Sequence, residues 1–327
     1  MMETMRPFIG HASALREVQE SFATGRMPHA WLIAGIEGIG KRALAKHIAQ
    51  FVLTGGSNKL GSPDPSLPAT KLVEAETHPD LLIVERPEDG KTGALKKNIP
   101  VETVLNVGGF LHKTATYGGG RVVIVNEAHT LNRFGQNAIL KIVEEPPPRS
   151  FILLTVTTPG LLLPTIRSRS RILALEPLHD NELRALMDIA APQATPENIQ
   201  TAMALCGGSL GFALKILRTD ILPLYKEMIA LIDTLPALDV AQLHKLGEAI
   251  ARKTDQESFE ALTALLIERL RQTAREQAAQ NGQAPVALAL WEKTRATFAA
   301  AESSNLDHKV AFLNAIADLR AAMNEAS

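Results

Sequence analysis

Apolar and polar positions along this chain follow two rhythms. In the first half, short apolar runs stand between polar stretches: HAWLIA (29–34), DLLIV (80–84), RVVIV (121–125), FILLTVT (151–157) and ILAL (172–175). Runs of this length, rich in β-branched residues, predict strands of a buried parallel sheet. Between them apolar residues recur every three or four positions. That spacing predicts a helix over 8–25 through Leu15, Val18 and Phe22, and another over 43–53 through Leu44, Ile48 and Phe51 or Val52. A third helix starts at Ile99-Pro100-Val101-Glu102 and runs to about Lys113, because an early proline and an early acid suit a helix N-terminus. A fourth, LNRFGQNAILKIVEEPPP, is stopped by its prolines. Residues 54–79, rich in Gly, Ser and Pro, predict an exposed loop or short insertion; 86–98 is polar, and Gly118-Gly119-Gly120 is a turn.

After residue 178 only the helical rhythm remains. Residues 178–218 predict a small helical lid, and everything from Ile221 onward is helical. One expected stripe is Phe259, Leu262, Leu266 and Leu270; another is Leu306, Val310, Leu313 and Ala317, with Gly282 and Pro285 punctuating the loop between helices. The expected organisation is an α/β domain over 1–175, a parallel sheet flanked by helices, then a lid over 176–220 and an all-α domain over 221–327.

Composition narrows the functions. The 327 residues are 46% hydrophobic and only 4% aromatic, so Leu, Ile, Val and Ala must build the core. A formal net charge of −1 supplies no global basic excess for nonspecific DNA binding. One cysteine, Cys206, excludes an internal disulfide and a multi-cysteine zinc site, and its apolar setting reads as buried filler. The N-terminus has no signal-peptide pattern. The longest uncharged run, 150–166, is broken by Pro159, Gly160 and Pro164 and is too short to cross a bilayer. A cytoplasmic location is expected.

The candidate chemistry sits at the strand ends. Gly35-Ile36-Glu37-Gly38-Ile39-Gly40-Lys41-Arg42 lies between an expected strand and an expected helix, the context that makes a GxxxxGK pattern a phosphate cradle. Its glycines let backbone N–H groups converge on an anion, and the lysine would reach the β- and γ-phosphates. The next position should carry a hydroxyl for Mg²⁺, yet it is Arg42, which cannot ligate a cation. Three readings stay open: a loop kept for its fold, nucleotide binding without hydrolysis, and a working ATPase. After the third strand, Asn126 stands where a metal-supporting Asp belongs. Glu127 could orient water or cap the next helix. Thr157 and Thr158 end a strand where ATPases carry a γ-phosphate sensor. Arg167, Arg169 and Arg171 form either a solvated basic loop or an arginine finger aimed at a neighbouring subunit's nucleotide.

Further motifs are Pro28-His29-Ala30, His78-Pro79-Asp80, Asn137-Ala138-Ile139-Leu140-Lys141, Glu144-Glu145-Pro146-Pro147 and Ser168-Arg169-Ser170. With these, the chain resembles the clamp-loader branch of the AAA+ ATPases over about residues 1–220. The last motif is similar to that family's Ser-Arg-Cys segment, with Ser170 replacing the cysteine. The resemblance implies an AAA+ RecA-like P-loop domain, a helical lid and a C-terminal collar-type oligomerisation domain. Motor subunits of the branch carry a hydroxyl after the lysine, an acidic pair in the second motif and a Gly-Ser-x-Arg lid motif. Here those positions are Arg42, Asn126 and, after Gly208-Ser209-Leu210, Gly211. The implied role is therefore a non-motor subunit without independent ATPase activity, with nucleotidyl transfer belonging to another subunit.

The resemblance also implies partners and a site. The partners are gamma/tau and delta subunits in a hetero-pentamer, reaching the sliding clamp and primer-template DNA through the complex, with no membrane. Arg169 would be an arginine finger acting in trans. Gly35, Gly38, Gly40, Lys41, Arg42, Asn126, Glu127, Thr157 and Thr158 would form a nucleotide site, vestigial or not, for ATP or ADP. The family's four zinc cysteines are absent from 54–77, so no zinc is expected. The alternative is an ATP-hydrolysing gamma/tau-like motor subunit or an autonomous AAA+ ATPase.

Overall fold

Each of the five apolar runs forms a strand in the computed structural model, which describes residues 5–90, 95–117, 119–235, 237–281, 284–304 and 307–326. Expectations for residues 91–94, Gly118, Gly282 and Leu306 lie outside these. The chain divides into two compact units, Met1–Ala190 with Gly207–Gly211, and Ala191–Cys206 with Phe212–Ser327.

In chain order the first unit contains α1 (Ala12–Ala23), β1 (Ala30–Ala34), α2 (Lys41–Leu53), α3 (Pro68–Glu74), β2 (Leu81–Val84), α4 (Val101–Leu111), β3 (Arg121–Val125), α5 (Arg133–Glu144), β4 (Ser150–Val156), α6 (Pro164–Arg169), β5 (Arg171–Ala174) and α7 (Asp180–Ala190). All strand pairs are parallel, in the order β2-β3-β4-β1-β5. Alternate side chains of β1 to β4 enter opposite cores, as the pleat requires, while edge strand β5 buries only Leu173 and leaves Ile172 exposed. Trp31, Ile33, Ile124 and Leu153 pack with Val18 of α1 and Leu44 and Ile48 of α2. Leu32, Val123, Ile152 and Leu154 pack with Val104 of α4, Ile139 of α5 and Ile166 of α6. Burial on both faces explains why these strands read as continuous apolar runs.

Three local expectations change. The first helix starts at Ala12, because Gly10 (φ 91°) and His11 (φ 53°) leave the helical region and Phe8 N donates to Gly61 O at 2.7 Å. The stretch 54–79 is not merely an exposed loop. It carries α3, buries Leu60 and Val73 in the core, and ties Thr70 Oγ1 to Gln50 Nε2 at 3.1 Å. The arginine segment before β5 is itself helical, so Arg167 and Arg169 project from the last turn of α6.

The second unit holds α8 (Pro196–Leu205), most of α9 (Leu210–Arg218), α10 (Leu222–Ile232), α11 (Val240–Lys253), α12 (Gln256–Asn281), α13 (Pro285–Ser304) and α14 (His308–Ala326). Phe259, Leu262 and Leu266 are buried as expected, and Phe259 meets Phe298 edge-on with ring centroids 6.0 Å apart. The expected α14 stripe is out of phase. Val310 is exposed, and the buried face is Ala311, Phe312, Ala315, Ile316 and Leu319. Phe312 and Ile316 have more apolar area to hide and set the helix's rotation.

Candidate functional site

β1 runs into the glycine loop, where Gly38 (φ 72°) and Gly40 (φ 104°) take left-handed backbone conformations that side chains disfavour. Every loop carbonyl from Gly35 to Ile39 accepts a hydrogen bond from this chain. Lys41 Nζ donates to Gly35 O at 2.8 Å and Ile36 O at 2.7 Å. Ser209 Oγ donates to Glu37 O at 2.7 Å, Gly211 N to Gly38 O at 2.8 Å, and His11 Nε2 to Ile39 O at 3.0 Å. A Cβ at position 211 would stand 2.6 Å from Gly38 Cα, so that contact exists because residue 211 has no side chain. Burial lowers the pKa of Lys41, against the opposing pull of Glu37 and Glu127.

Arg42 turns away from the loop. Its Nη2 lies 3.1 Å from Glu76 and 3.2 Å from Glu85, and Lys46 joins Glu76 at 2.9 Å. At the end of β3, Asn126 Oδ1 accepts from Thr155 Oγ1 at 2.8 Å, and the same hydroxyl accepts from Glu127 N at 2.8 Å. Thr155 is fully buried in β4. Glu127 is left-handed (φ 53°, ψ 50°), and its Oε2 is held by Arg86 Nε at 2.8 Å and Nη2 at 2.6 Å. His129, two residues on, has its pKa lowered, chiefly by burial; Glu127 opposes this, while Lys41 and Arg86 reinforce it. Thr157 is half-buried and Thr158 exposed at the end of β4.

The structure thus gathers the glycine loop, Lys41, Asn126 and Glu127 at the C-terminal ends of the strands, with Thr157 and Thr158 at the same end of β4. Arg42 faces its own acidic partners. Arg169 lies at the opposite end. Arg171 pairs with Trp31 at the start of β1, whereas Gly35 follows the last β1 residue. Four residues of strand separate those levels by about 13 Å. Arg169 Nη2 meets Glu144 at 3.2 Å and Arg171 Nε meets Glu17 at 2.7 Å, while Arg167 Nε is buried without a partner.

Sequence reasoning missed Arg86, Thr155 and His129. Thr155 leaves a signal, a hydroxyl inside an otherwise apolar strand. Arg86 leaves little, as one charge in a polar stretch. Cys206 is buried and its thiol donates to Met203 O at 3.4 Å. Among the described residues, no group of three His, Cys, Asp or Glu side chains is arranged to hold a metal ion. No helix among them is long and apolar enough to cross a membrane.

A family model described as DNA polymerase III, delta subunit, matches residues 10–179. The DNA polymerase III subunit delta' of Pseudomonas aeruginosa is 36% identical over 181 residues, covering 55% of this chain and 53% of that protein. The DNA polymerase III subunit delta' of Escherichia coli (strain K12) is 31% identical over 203 residues, covering 61% and 58%. The match therefore spans little more than half the length of either relative. Among solved structures, a DNA polymerase III gamma subunit-related protein from Thermotoga maritima is 16% identical, with a TM-score of 0.47; the likeness covers 94% of this chain and 99% of that one.

Proposed function

This chain belongs to the DNA polymerase III delta-subunit family of clamp-loader proteins, and from that premise we propose that it acts as a non-motor, delta-prime-type subunit. In this reading it joins gamma/tau and delta subunits in a hetero-pentamer. The ring opens the sliding clamp and loads it on primer-template DNA. Residues 1–175 would be the nucleotide-fold domain, 176–220 the lid and 221–327 the collar.

One observation carries the reading. The groups that a hydrolysing site keeps free for Mg²⁺ and water are engaged within this chain. Arg42 is bound to Glu76 and Glu85, Asn126 to Thr155, and Glu127 to Arg86. The glycines suit a phosphate, and ATP or ADP bound there would be held by Gly38, Gly40 and Lys41. The metal half of the site does not fit, since position 42 has no hydroxyl and position 126 no charge.

Arg169 is the residue proposed to act on chemistry, in trans. Its present partner is an exposed carboxylate, and exposed ion pairs are worth about 0–1 kcal/mol, so a phosphate could replace it at small cost. Fingers of this kind contribute roughly 10³–10⁵ in rate in GTPases.

Two measurements test the proposal. With Mg²⁺ and ATP, the purified chain should give no steady turnover. Turnover lost on Lys41→Ala would make the chain a motor instead. In a complex reconstituted with gamma/tau and delta subunits, Arg169→Ala should lower ATPase by orders of magnitude. A change within twofold would remove Arg169 from the site.

A further inference from the structure

α6 has only six residues, too few to hold a direction alone, yet it carries Arg169. What fixes it is α5 beside it. Ile139 and Val143 of α5 share a core with Leu162 and Ile166, which anchors the inner face of α6. Two polar side chains of α5 then act at the two ends of α6.

At the first end is Gln136, a buried amide in an otherwise apolar setting. Its Nε2 donates to Leu131 O at 3.1 Å and Leu161 O at 3.2 Å, and its Oε1 accepts from Leu163 N at 2.8 Å. Leu163 caps α6, so this amide sets where the helix begins. At the other end, Glu144 closes α5 and meets Arg169 Nη2 at 3.2 Å. Eight residues of α5 separate the two, a rise of about 12 Å. Start therefore lies against start and end against end. Arg169 Nη1 makes one further contact, to Thr165 O at 3.4 Å. The guanidinium is thus held in place mainly by Glu144.

We propose that Glu144 is a positioning residue for Arg169: on a helix whose start is held by the Gln136 amide, the carboxylate orders the guanidinium before a neighbouring phosphate replaces it. The proposal deepens the finger reading above and rests on it for its kinetic consequence. Its structural half concerns this chain alone. Preorganisation matters because an unpaired arginine must give up its rotamer freedom when it docks.

The test has two arms. In the purified chain, ¹⁵N relaxation of the Arg169 Nε–Hε group reports its order. Glu144→Ala and Gln136→Leu should both loosen it, and Glu144→Asp should restore part. In the complex reconstituted with gamma/tau and delta subunits, Glu144→Ala should lower kcat about fivefold, the upper range for an exposed ion pair, with KM for ATP unchanged. Arg184→Ala, which breaks a comparably exposed pair with Asp188 on α7, should leave kcat unchanged. Unaltered Arg169 order in Glu144→Ala overturns the proposal. So does a rise in kcat with Glu144→Ala, which would make the carboxylate a competitor. If Arg169→Ala leaves turnover within twofold, the finger reading fails, and relaxation alone then decides the bracing of α6. If Gln136→Leu does not fold, Glu144→Ala and Glu144→Asp decide it at the exposed end.

Discussion

Replacing Gly211 with alanine tests whether the segment 208–211 clasps the glycine loop. The added Cβ would stand 2.6 Å from Gly38 Cα and 3.2 Å from Gly38 O. Ordinary contact begins at 3.4 Å, so the two backbones must part by at least 3.4 − 2.6 = 0.8 Å. Neither is the far end of a flexible side chain, so neither gives way cheaply. If strain is retained, overpacking costs about 1–3 kcal/mol. If the start of α9 retreats, the bonds from Gly211 N to Gly38 O and from Ser209 Oγ to Glu37 O are lost, at about 1 kcal/mol each. Against either route, alanine's advantage over glycine, about 1 kcal/mol in a helix interior, is only partial at residue 211, the second of α9. The net expectation is a loss of roughly 1–2 kcal/mol. Urea denaturation measures it. The chain's two tryptophans lie in different units, so a Trp291→Phe background leaves buried Trp31 of β1 to report on the first unit alone. Gly109→Ala in α4 is the control. A Cβ there meets nothing within 4 Å, so that variant should gain up to about 1 kcal/mol. If Gly211→Ala is as stable as the parent while Gly109→Ala behaves as stated, the clasp is wrong. Gly211→Arg meets the same obstacle at its Cβ.

Three other perturbations probe the same unit. His47 is buried and its pKa is pushed down to about 4 from 6.5, by burial first and by Lys46 second. Its contribution to stability is complete above pH 6.5 and is lost as pH falls toward 4, because only the unfolded chain takes up the proton in that window. About 2.5 pH units at 1.36 kcal/mol each gives a loss of about 3 kcal/mol. His47→Gln should flatten that part of the urea-stability profile, and equal slopes in both proteins would refute it. Asp80, almost wholly buried, accepts from Thr116 N at 2.9 Å and Tyr117 N at 3.1 Å and pairs with buried Arg121 at 3.3 Å. Asp80→Asn should cost about 3–5 kcal/mol by leaving a buried cation uncompensated; a loss under about 1 kcal/mol would show that the carbonyls around Arg121 suffice. Thr155→Val keeps shape but removes the hydroxyl shared by Asn126 and Glu127, and should cost about 1–3 kcal/mol by calorimetry. No change would mean that water replaces it.

The sheet was legible because burial on both faces writes strands as apolar runs, and RVVIV and FILLTVT could hardly do anything else. The glycine loop was legible because its residue types and its strand-to-helix context coincide. Neither the anchoring of 54–79 nor the phase of α14 was. Leu60 and Val73 are two apolar positions in a Gly- and Pro-rich stretch, too few for a period. On α14 two apolar phases compete, and residue size decides between them. The bonding of the site was hidden for another reason. It pairs residues far apart in sequence: Ser209 with Glu37 across 172 positions, Arg86 with Glu127 across 41, Thr155 with Asn126 across 29. A motif states which group stands at a position. It does not state whether that group is already taken.

That distinction bears on the proposed non-motor role. A nucleotide entering here would compete with the bonds Lys41 makes to Gly35 and Ile36, and a Mg²⁺ ion would find Asn126 and Glu127 already paired. Each exchange must first break an internal bond, which lowers the net gain from binding nucleotide or Mg²⁺ here. At the other end of the strands, the Arg169–Glu144 pair is exposed and cheap to exchange. In the proposed role, an internally satisfied glycine-loop end and an exchangeable Arg169–Glu144 pair at the other end are what a stationary subunit presenting an arginine to a moving partner would need.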